Sequence, residues 1–337
     1  MQYRRLGNSG LLVSDLALGT MIFGESSERG TSADQATEMI HHYLDAGGNH
    51  LDIADVYASG RAEEIIGQAI KGRREQLVVT TKVRWPMGTG VNDVGLSRYH
   101  IQLGVEASLR RLQVETIDVL YLHGWDPLTP LEESLHTCND LVTAGKVRYI
   151  GVSNFKAWQT MKALGLCDQN GWVRFVAAQY QYSLVVRDIE SEFVDLCQAE
   201  GLGLVVWGPL GGGFLSGKYR ADRPPQHAAD GRLAVTPDTS EEAWVRRATD
   251  QNWKVLDVVN QIAAAHPGCT ASQVSIAWLL TRPAVASVIV GARSIDQLKA
   301  NLLAAELPLT KSEIDQLNAV SKYDMAYPYR IINTIAR

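Results

Sequence analysis

The sequence predicts an α/β protein folded as one closed (β/α)8 (TIM) barrel, and three observations carry that expectation. Short β-branched runs recur eight times, at roughly 15–20 (DLALGT), 49–53 (NHLDI), 77–82 (LVVTTK), 117–122 (IDVLYL), 147–152 (VRYIGV), 175–179 (FVAAQ), 202–207 (LGLVVW) and 285–290 (VASVIV). Helix-length stretches with apolar residues at three- and four-residue spacing lie between them. The runs are continuously apolar rather than alternating, as parallel strands covered on both faces should be. An open doubly wound sheet is the alternative fold. It usually carries a glycine fingerprint after its first strand, and LALGTMIFGESS contains no GxGxxG.

Taken in order, YRRLGNSGLLVS reads as a hairpin turning at Asn8-Ser9-Gly10, placed before the first barrel strand and expected to plug the barrel's lower end. The helical stretches carry their own boundary signals. Ser32 and Ser97 stand where N-caps are expected, ahead of ADQATEMIHHYLD and RYHIQLGVEASLRRL, and Gly47 and Gly145 stand where helices stop. One segment breaks the rhythm. From about Pro209 to Glu242 the chain is rich in Gly, Pro, Asp and Arg and shows no periodicity. It follows the seventh strand, so 209–242 is expected to be a long flap loop over a ligand, with a floppy surface insertion as the plain alternative. No linker or internal repeat beyond the strand–helix unit interrupts residues 1–337, which read as a single domain.

Composition narrows the function. With 337 residues and 46% hydrophobic content the chain can bury a large core. Its net charge is −5 and it has no long basic run, which argues against a nucleic-acid partner. No apolar run reaches the roughly 20 residues that span a bilayer. MQYRRLGNSG lacks the apolar core of a signal peptide. Cys138, Cys167, Cys197 and Cys269 are spread out with no CxxC pair, and SLHTCNDLV and EFVDLCQAE look helical, so buried reduced thiols are expected. A cytoplasmic location is the expectation; oligomeric state is not written in these residues.

The chemistry is concentrated in Asp52, Tyr57, Lys82 and His123, which close the runs in HLDIADVY, LVVTTK and DVLYLH. In a (β/α)8 barrel the C-terminal strand ends face the active site, so three adjacent strand ends would bring these side chains together. With no metal-ligand spacing or nucleophile motif beside them, they suggest reduction of a carbonyl by an external hydride. Tyr57 is the natural proton donor, but an unperturbed phenol, pKa about 10, is a reluctant acid. An ammonium at Lys82 would help the proton leave, Asp52 would hold Lys82 charged, and His123 would orient the carbonyl oxygen. Singly, each has a structural reading: a turn cap, a helix-start aromatic, a solvated strand end, a core histidine.

Three other patterns point elsewhere. Gly212 to Lys218 spells GGFLSGK, matching GxxxxGK, but Tyr219 replaces the Ser or Thr that holds magnesium in nucleoside triphosphatases. His41-His42 and the remaining histidines lack zinc-ligand spacing. A barrel lyase or epimerase using Lys82 as a Schiff base is a further alternative.

At these residues the chain resembles the aldo-keto reductase superfamily. The resemblance includes ALGTM, LDIADVY, the strand-ending lysine, LYLHGWDP, AGKVRYIGVSNF, AAQYQYSL, GPLGGGFLSGKY and VIVGARSIDQLKAN, in family order over essentially the whole chain. HGWDPLTPLEESL and VNDVGLSRYHI are most similar to the aryl-alcohol dehydrogenase-like subgroup. The resemblance implies that Asp52, Tyr57, Lys82 and His123 are a catalytic tetrad, and that NADPH or NADH binds without a Rossmann domain. By it, Ser153, Asn154 and Gln179 hold the nicotinamide carboxamide, Trp207 stacks on the ring, and Gly208, Pro209 and Leu210 follow the pyrophosphate. Lys218, Arg293, Gln297 and Asn301 take the adenosine and 2′-phosphate end, while Gly19, Thr20 and Gly291 complete the cofactor-binding set. Arg293 favours NADP over NAD, because a phosphate ester suits a bidentate guanidinium.

Three positions depart from the family pattern: Ile53, Gly124 and Gly208, each expected to widen or reshape the pocket. Met21, Phe23, Trp85, Trp125 and the segment from Tyr323 to Tyr329 are expected pocket liners by position. The implied function is an NADPH-dependent reductase interconverting small carbonyl and alcohol substrates. The alternative is an NADPH-binding, redox-sensing regulatory subunit of a protein partner, with little turnover.

Overall fold

A computed structural model of the protein describes residues 1–227 and 230–334. Two short strands, β1 (Tyr3–Arg5) and β2 (Leu12–Ser14), pair antiparallel ahead of the barrel. Eight strands follow: β3 (Leu16–Gly19), β4 (His50–Asp52), β5 (Val78–Val83), β6 (Ile117–Leu122), β7 (Val147–Ser153), β8 (Phe175–Gln181), β9 (Gly203–Trp207) and β10 (Val285–Val290). They pair in parallel in chain order, and β10 closes onto β3 to seal the barrel. The (β/α)8 expectation is met, and each barrel strand lies within two residues of its run in the sequence.

Every residue of β4, β5, β6 and β10 is buried, which is why these strands lack the polar–apolar alternation of a sheet with one wet face. One face packs outward into a main core shared with the helices. The other fills the barrel with Ala17, Val78, Val119, Tyr121, Ala177, Val205, Ala286 and Ile289. The surrounding helices are α1 (Ala33–Asp45), α2 (Arg61–Ala69), α3 (Arg98–Leu112), α4 (Leu131–Thr143), α5 (Ala157–Asn170) and α6 (Phe193–Glu200). The short α7 (Arg232–Val235) and α8 (Trp244–Arg247) follow, then α9 (Asp250–Ala265), α10 (Ala271–Leu280), α11 (Ile295–Leu302), α12 (Lys311–Val320) and α13 (Tyr329–Thr334). Ser32 caps α1 in a reciprocal capping box with Gln35, and the Ser97 hydroxyl accepts from the His100 N–H at the start of α3.

The hairpin plugs the lower end as expected. Leu6 and Val13 join the interior cluster, and the Asn8 N–H donates to the Gly201 carbonyl at 2.8 Å. The Arg4 guanidinium donates to the carbonyls of Val285 and Leu280, both at 2.9 Å. Gly7 lies at φ +61°, and a Cβ there would meet the Gly201 and Val176 carbonyl oxygens at 2.4 Å. Only glycine fits this crossing.

The segment after β9 is more ordered than its sequence suggests. Its described residues include a 3-10 turn (Phe214–Ser216) and α7, and the segment leads into α8. Phe214, Leu215, Tyr219 and Leu233 are buried in the main core. An adjacent pair and two single apolar residues have no period to read, yet each is an anchor. Residues 228 and 229 of this segment lie outside the described residues.

Cys138, Cys167 and Cys197 are buried free thiols, and Cys269 is half-buried. Burial pushes the Cys138 thiol up to about 12, so it stays protonated and inert. Among the described residues no helix is long and apolar enough to cross a membrane, and no group of side chains could hold a metal ion.

Candidate active site

The four residues singled out from the sequence meet at the upper rim of the barrel, opposite the plug. Lys82 is completely buried on β5 beside Asp52 on β4. Its ammonium donates to the Asp52 carboxylate at 2.9 Å, to the Ile53 carbonyl at 2.6 Å and to the Tyr57 phenol oxygen at 3.2 Å. Those three bonds use all three of its protons. The Asp52 carboxylate also accepts from Gln179 Nε2 at 2.7 Å, and its carbonyl accepts from the Thr20 hydroxyl at 2.9 Å. The rings of His123 and Tyr57 lie edge to face, 6.3 Å apart.

Tyr57 begins a tight turn of unusual backbone. Ala58, Ser59 and Gly60 follow at φ 46°, 54° and 93°, three left-handed residues in succession, two of them not glycine. The turn lifts the phenol over Lys82 Nζ, which sits 4.9 Å from the ring centre.

The electrostatics separate the groups into roles. Burial pushes the Lys82 ammonium toward neutrality, but Asp52 and Tyr57 outweigh it and leave its pKa raised, so it stays charged. Burial raises the Tyr57 phenol and Lys82 pulls it back down. The His123 imidazole lies well below its ordinary value, through burial first and then the charges of Lys82 and Arg84, so it is neutral near pH 7. The arrangement presents a neutral phenol, polarised by a locked cation, beside a neutral imidazole.

Residues assigned to a cofactor form a rim around this centre. Ser153 is buried and donates to the Gln179 carbonyl at 2.8 Å. Asn154, at φ 55°, donates to the His123 carbonyl at 2.9 Å and to the Ser153 hydroxyl at 3.0 Å. Trp207 ends β9 half-buried, and Gly208 follows at φ 67° ahead of Pro209 and Leu210. Gly211, Gly212 and Gly213 continue in the left-handed region. Gly19 closes β3 against Ile289, whose methyl lies 2.7 Å from where a Cβ would be.

Farther out, Lys218 and Arg293 are close enough that Arg293 adds to burial in lowering the lysine's pKa. Gln297 accepts from the Arg293 N–H at 2.9 Å at the start of α11, and Asn301 donates to the Gly291 carbonyl at 3.2 Å.

Three buried polar atoms without partners adjoin the glycine run: Gln181 Nε2 beside Gly208, Glu242 Oε1 beside Gly208 and Gly212, and Arg247 Nε beside Gly211. Two of these atoms, Gln181 Nε2 and Arg247 Nε, are donors; set along a left-handed glycine run with two mutually repelling cations at its outer end, they fit a polyanionic cofactor, while the Glu242 carboxylate is paired with Arg232.

The expected pocket liners divide. The Trp85 ring packs edge-on against His123 at 5.9 Å, backed by the Arg84 guanidinium at 4.4 Å. Met21 stands at the mouth, where Arg232 reaches its sulfur at 3.9 Å. Trp125 packs on Phe155 and Trp158, toward α5. Phe23 is wholly buried in the main core and has no surface to offer a ligand. The tail at Tyr323 bonds to Ser191 in the loop after β8. The Trp85 ring packs over Gly124, 3.3 Å from where a Cβ would be.

The sequence reading missed Arg232. It pairs with the buried Glu242, and its charge acts on the Tyr57 phenol. Three arginines between Lys218 and Glu242 gave no reason to prefer it. Asp55, Glu63 and Arg111 were also missed, because their contacts join distant parts of the chain.

Comparison with known proteins agrees with the geometry. Residues 15–322 match the Aldo/keto reductase family model. The chain is 37% identical over 332 residues to a probable voltage-gated potassium channel subunit beta of Arabidopsis thaliana, covering 94% of this chain and 96% of the relative. It is 33% identical to the versiconal hemiacetal acetate reductase of Aspergillus parasiticus, with 94% and 96% covered. It is 35% identical to the uncharacterized oxidoreductase YrpG of Bacillus subtilis (strain 168), with 95% and 96% covered. Barrel, strand-end cluster and a family match across nearly the whole sequence lead to one statement: the chain belongs to the aldo/keto reductase family, a family of oxidoreductases.

Proposed function

We propose that the protein is an NADPH-dependent carbonyl reductase in which Tyr57 donates the proton. The observation that carries this reading is the Lys82 ammonium, which spends one of its three protons on the Tyr57 oxygen. Because that oxygen accepts from Lys82, the phenol's own proton is free to point into the pocket, toward a substrate carbonyl. The positive charge favours the phenolate left behind, which makes the phenol a better acid than its burial alone allows.

Asp52 keeps Lys82 charged and oriented throughout. His123, neutral, donates one hydrogen bond to the carbonyl oxygen and helps fix its approach. Its buried Nδ1 has no partner, and carrying the proton on Nε2 leaves a lone pair unpaired there rather than an N–H. Ser153, Asn154, Gln179 and Trp207 would hold the nicotinamide end, the backbone after Gly208 the pyrophosphate, and Lys218 with Arg293 the 2′-phosphate. The bound nicotinamide supplies the hydride. The aromatic wall at Trp85 suits flat substrates such as aryl aldehydes.

A second reading is supported by the relatives named as potassium channel beta subunits: a cofactor-binding regulatory protein with little turnover. The hydrogen bonds of Lys82 to Asp52 and Tyr57 favour turnover. NADPH fluorescence and oxidation, measured against aryl aldehydes, sugars and cyclic ketones, separate the two. Turnover with any of these supports the reductase; binding without turnover moves the function to the regulatory reading.

A further inference from the structure

Outside the barrel, behind the Tyr57 turn, lies a second cluster of charge that touches neither substrate nor cofactor residues. Glu63, on α2 and fully buried, accepts from the Thr81 hydroxyl at 2.7 Å and pairs with Arg111 Nε at 2.7 Å. Thr81 is the neighbour of Lys82 on β5 and faces the other way. The Arg111 side chain supports the strained turn directly: a Cβ on Gly60 would meet its Cδ and Nε at 2.8 Å.

Asp55 completes the group, two residues before Tyr57. Its backbone N–H donates to the Lys82 carbonyl, and its side chain is fully buried against Gly104 of α3. Among the described residues neither carboxyl oxygen has a hydrogen-bond partner of normal geometry, and the Val56 backbone acts on the carboxyl only weakly, opposing the larger effect of burial.

We propose that Asp55, Glu63 and Arg111 form a proton-linked brace for the Tyr57 turn, in which Asp55 is the neutral acid when the phenol is correctly placed. The inference rests on the reductase reading above, and Asp55 is a positioning residue in it. A buried carboxylate with no hydrogen bonds is costly, whereas the neutral carboxyl is tolerated. Burial first, and then the Glu63 carboxylate, push its pKa up to about 7, while Arg111 and Lys82 act the other way. These three groups face Asp55 from α2, α3 and β5. Ionisation places a second anion beside Glu63 and draws on Arg111 and Lys82, the cations that hold Glu63 and Tyr57. Less of the Lys82 charge then serves the phenol, so carbonyl reduction slows as Asp55 ionises.

The test uses the full chain, with Asp55→Asn, which keeps the neutral shape and cannot ionise, and Glu63→Gln. Wild-type kcat for reduction with NADPH should fall as pH rises through about 7, with KM nearly constant. Asp55→Asn should keep the low-pH kcat to within about threefold and lose that limb. Glu63→Gln should move the limb to lower pH, because the anion that raises Asp55 is gone. A limb that survives unchanged in Asp55→Asn, or no limb in the wild type, overturns the proposal. A purely structural role would not shift it in Glu63→Gln, so that variant decides if Asp55→Asn fails to fold.

Stability gives a readout without turnover. The folded protein holds this proton more tightly than the unfolded chain, so the Asp55 contribution is full below pH 3.8 and lost as pH rises to about 7. The Tm difference between Asp55→Asn and wild type should grow in the variant's favour over that interval and then stay constant. Parallel Tm curves overturn the proposal. A wild type that reduces no carbonyl removes the reductase reading, and the Tm curves still decide whether Asp55 carries the proton.

Discussion

At the scale of single residues, one buried ammonium organises the chemistry. Lys82 has no exposed surface and no spare proton, so its orientation is set by Asp52, the Ile53 carbonyl and Tyr57 together. Removing only the phenol hydroxyl should therefore cost catalysis and little else. Tyr57→Phe is expected to lower kcat by at least about 100-fold while NADPH binding, followed by fluorescence titration, stays near wild type. Retention of most of the rate would move the proton donor elsewhere. At the outer end of the rim, Arg293→Ala should weaken NADPH by roughly tenfold or more and NADH hardly at all. Equal losses for both cofactors would remove the 2′-phosphate assignment.

At the scale of elements, strands and loops differ in how much their sequence reveals. The barrel strands were legible because burial on both faces removes the regular polar–apolar alternation of a half-exposed strand: VASVIV, with a single serine, is the whole of β10. Asp52, Lys82 and His123 were legible as the polar residues that close such runs. The segment after β9 was not, since its order comes from the pair Phe214-Leu215 and from Tyr219 and Leu233, which dock onto the core at no regular spacing. Phe23 was assigned to the mouth because a loop residue carries no periodicity to say which way it faces. Glu63 and Arg111 lie 48 residues apart, and no local pattern announces such a pair. Arg232 ties the segment to the first strand's loop through Met21 and to Glu242. Arg232→Gln should loosen it, seen as faster limited proteolysis between residues 217 and 243, together with weaker NADPH binding. Unchanged cleavage would show that the core anchors alone hold it down.

At the scale of the whole molecule, the two ends of the barrel divide the work. The rim carries the left-handed Tyr57 turn and the glycine run after β9; the floor carries the hydrogen bonds by which the hairpin is seated. A fault in the floor should therefore reduce stability without altering the chemistry. Gly7→Ala forces a Cβ onto two carbonyl oxygens at a left-handed position and is expected to cost on the order of 2 kcal/mol or more. Tm should drop by several degrees, with kcat measured well below it unchanged. A parallel loss of kcat would mean that the floor and the rim are coupled.

The floor also has a consequence for biosynthesis. Arg4 bonds to the carbonyl of Val285, 281 positions away, and β3 gains its second neighbour only when β10 arrives. A chain emerging from the ribosome makes the plug first and the strand that seats it near the end. Until then the Arg4 guanidinium and one edge of β3 have no partner, and a nascent barrel with seven strands is an open sheet with two raw edges. Synthesis time thus becomes part of this protein's aggregation risk, and a chaperone that shields early apolar segments should raise its yield more than one that acts on the finished chain.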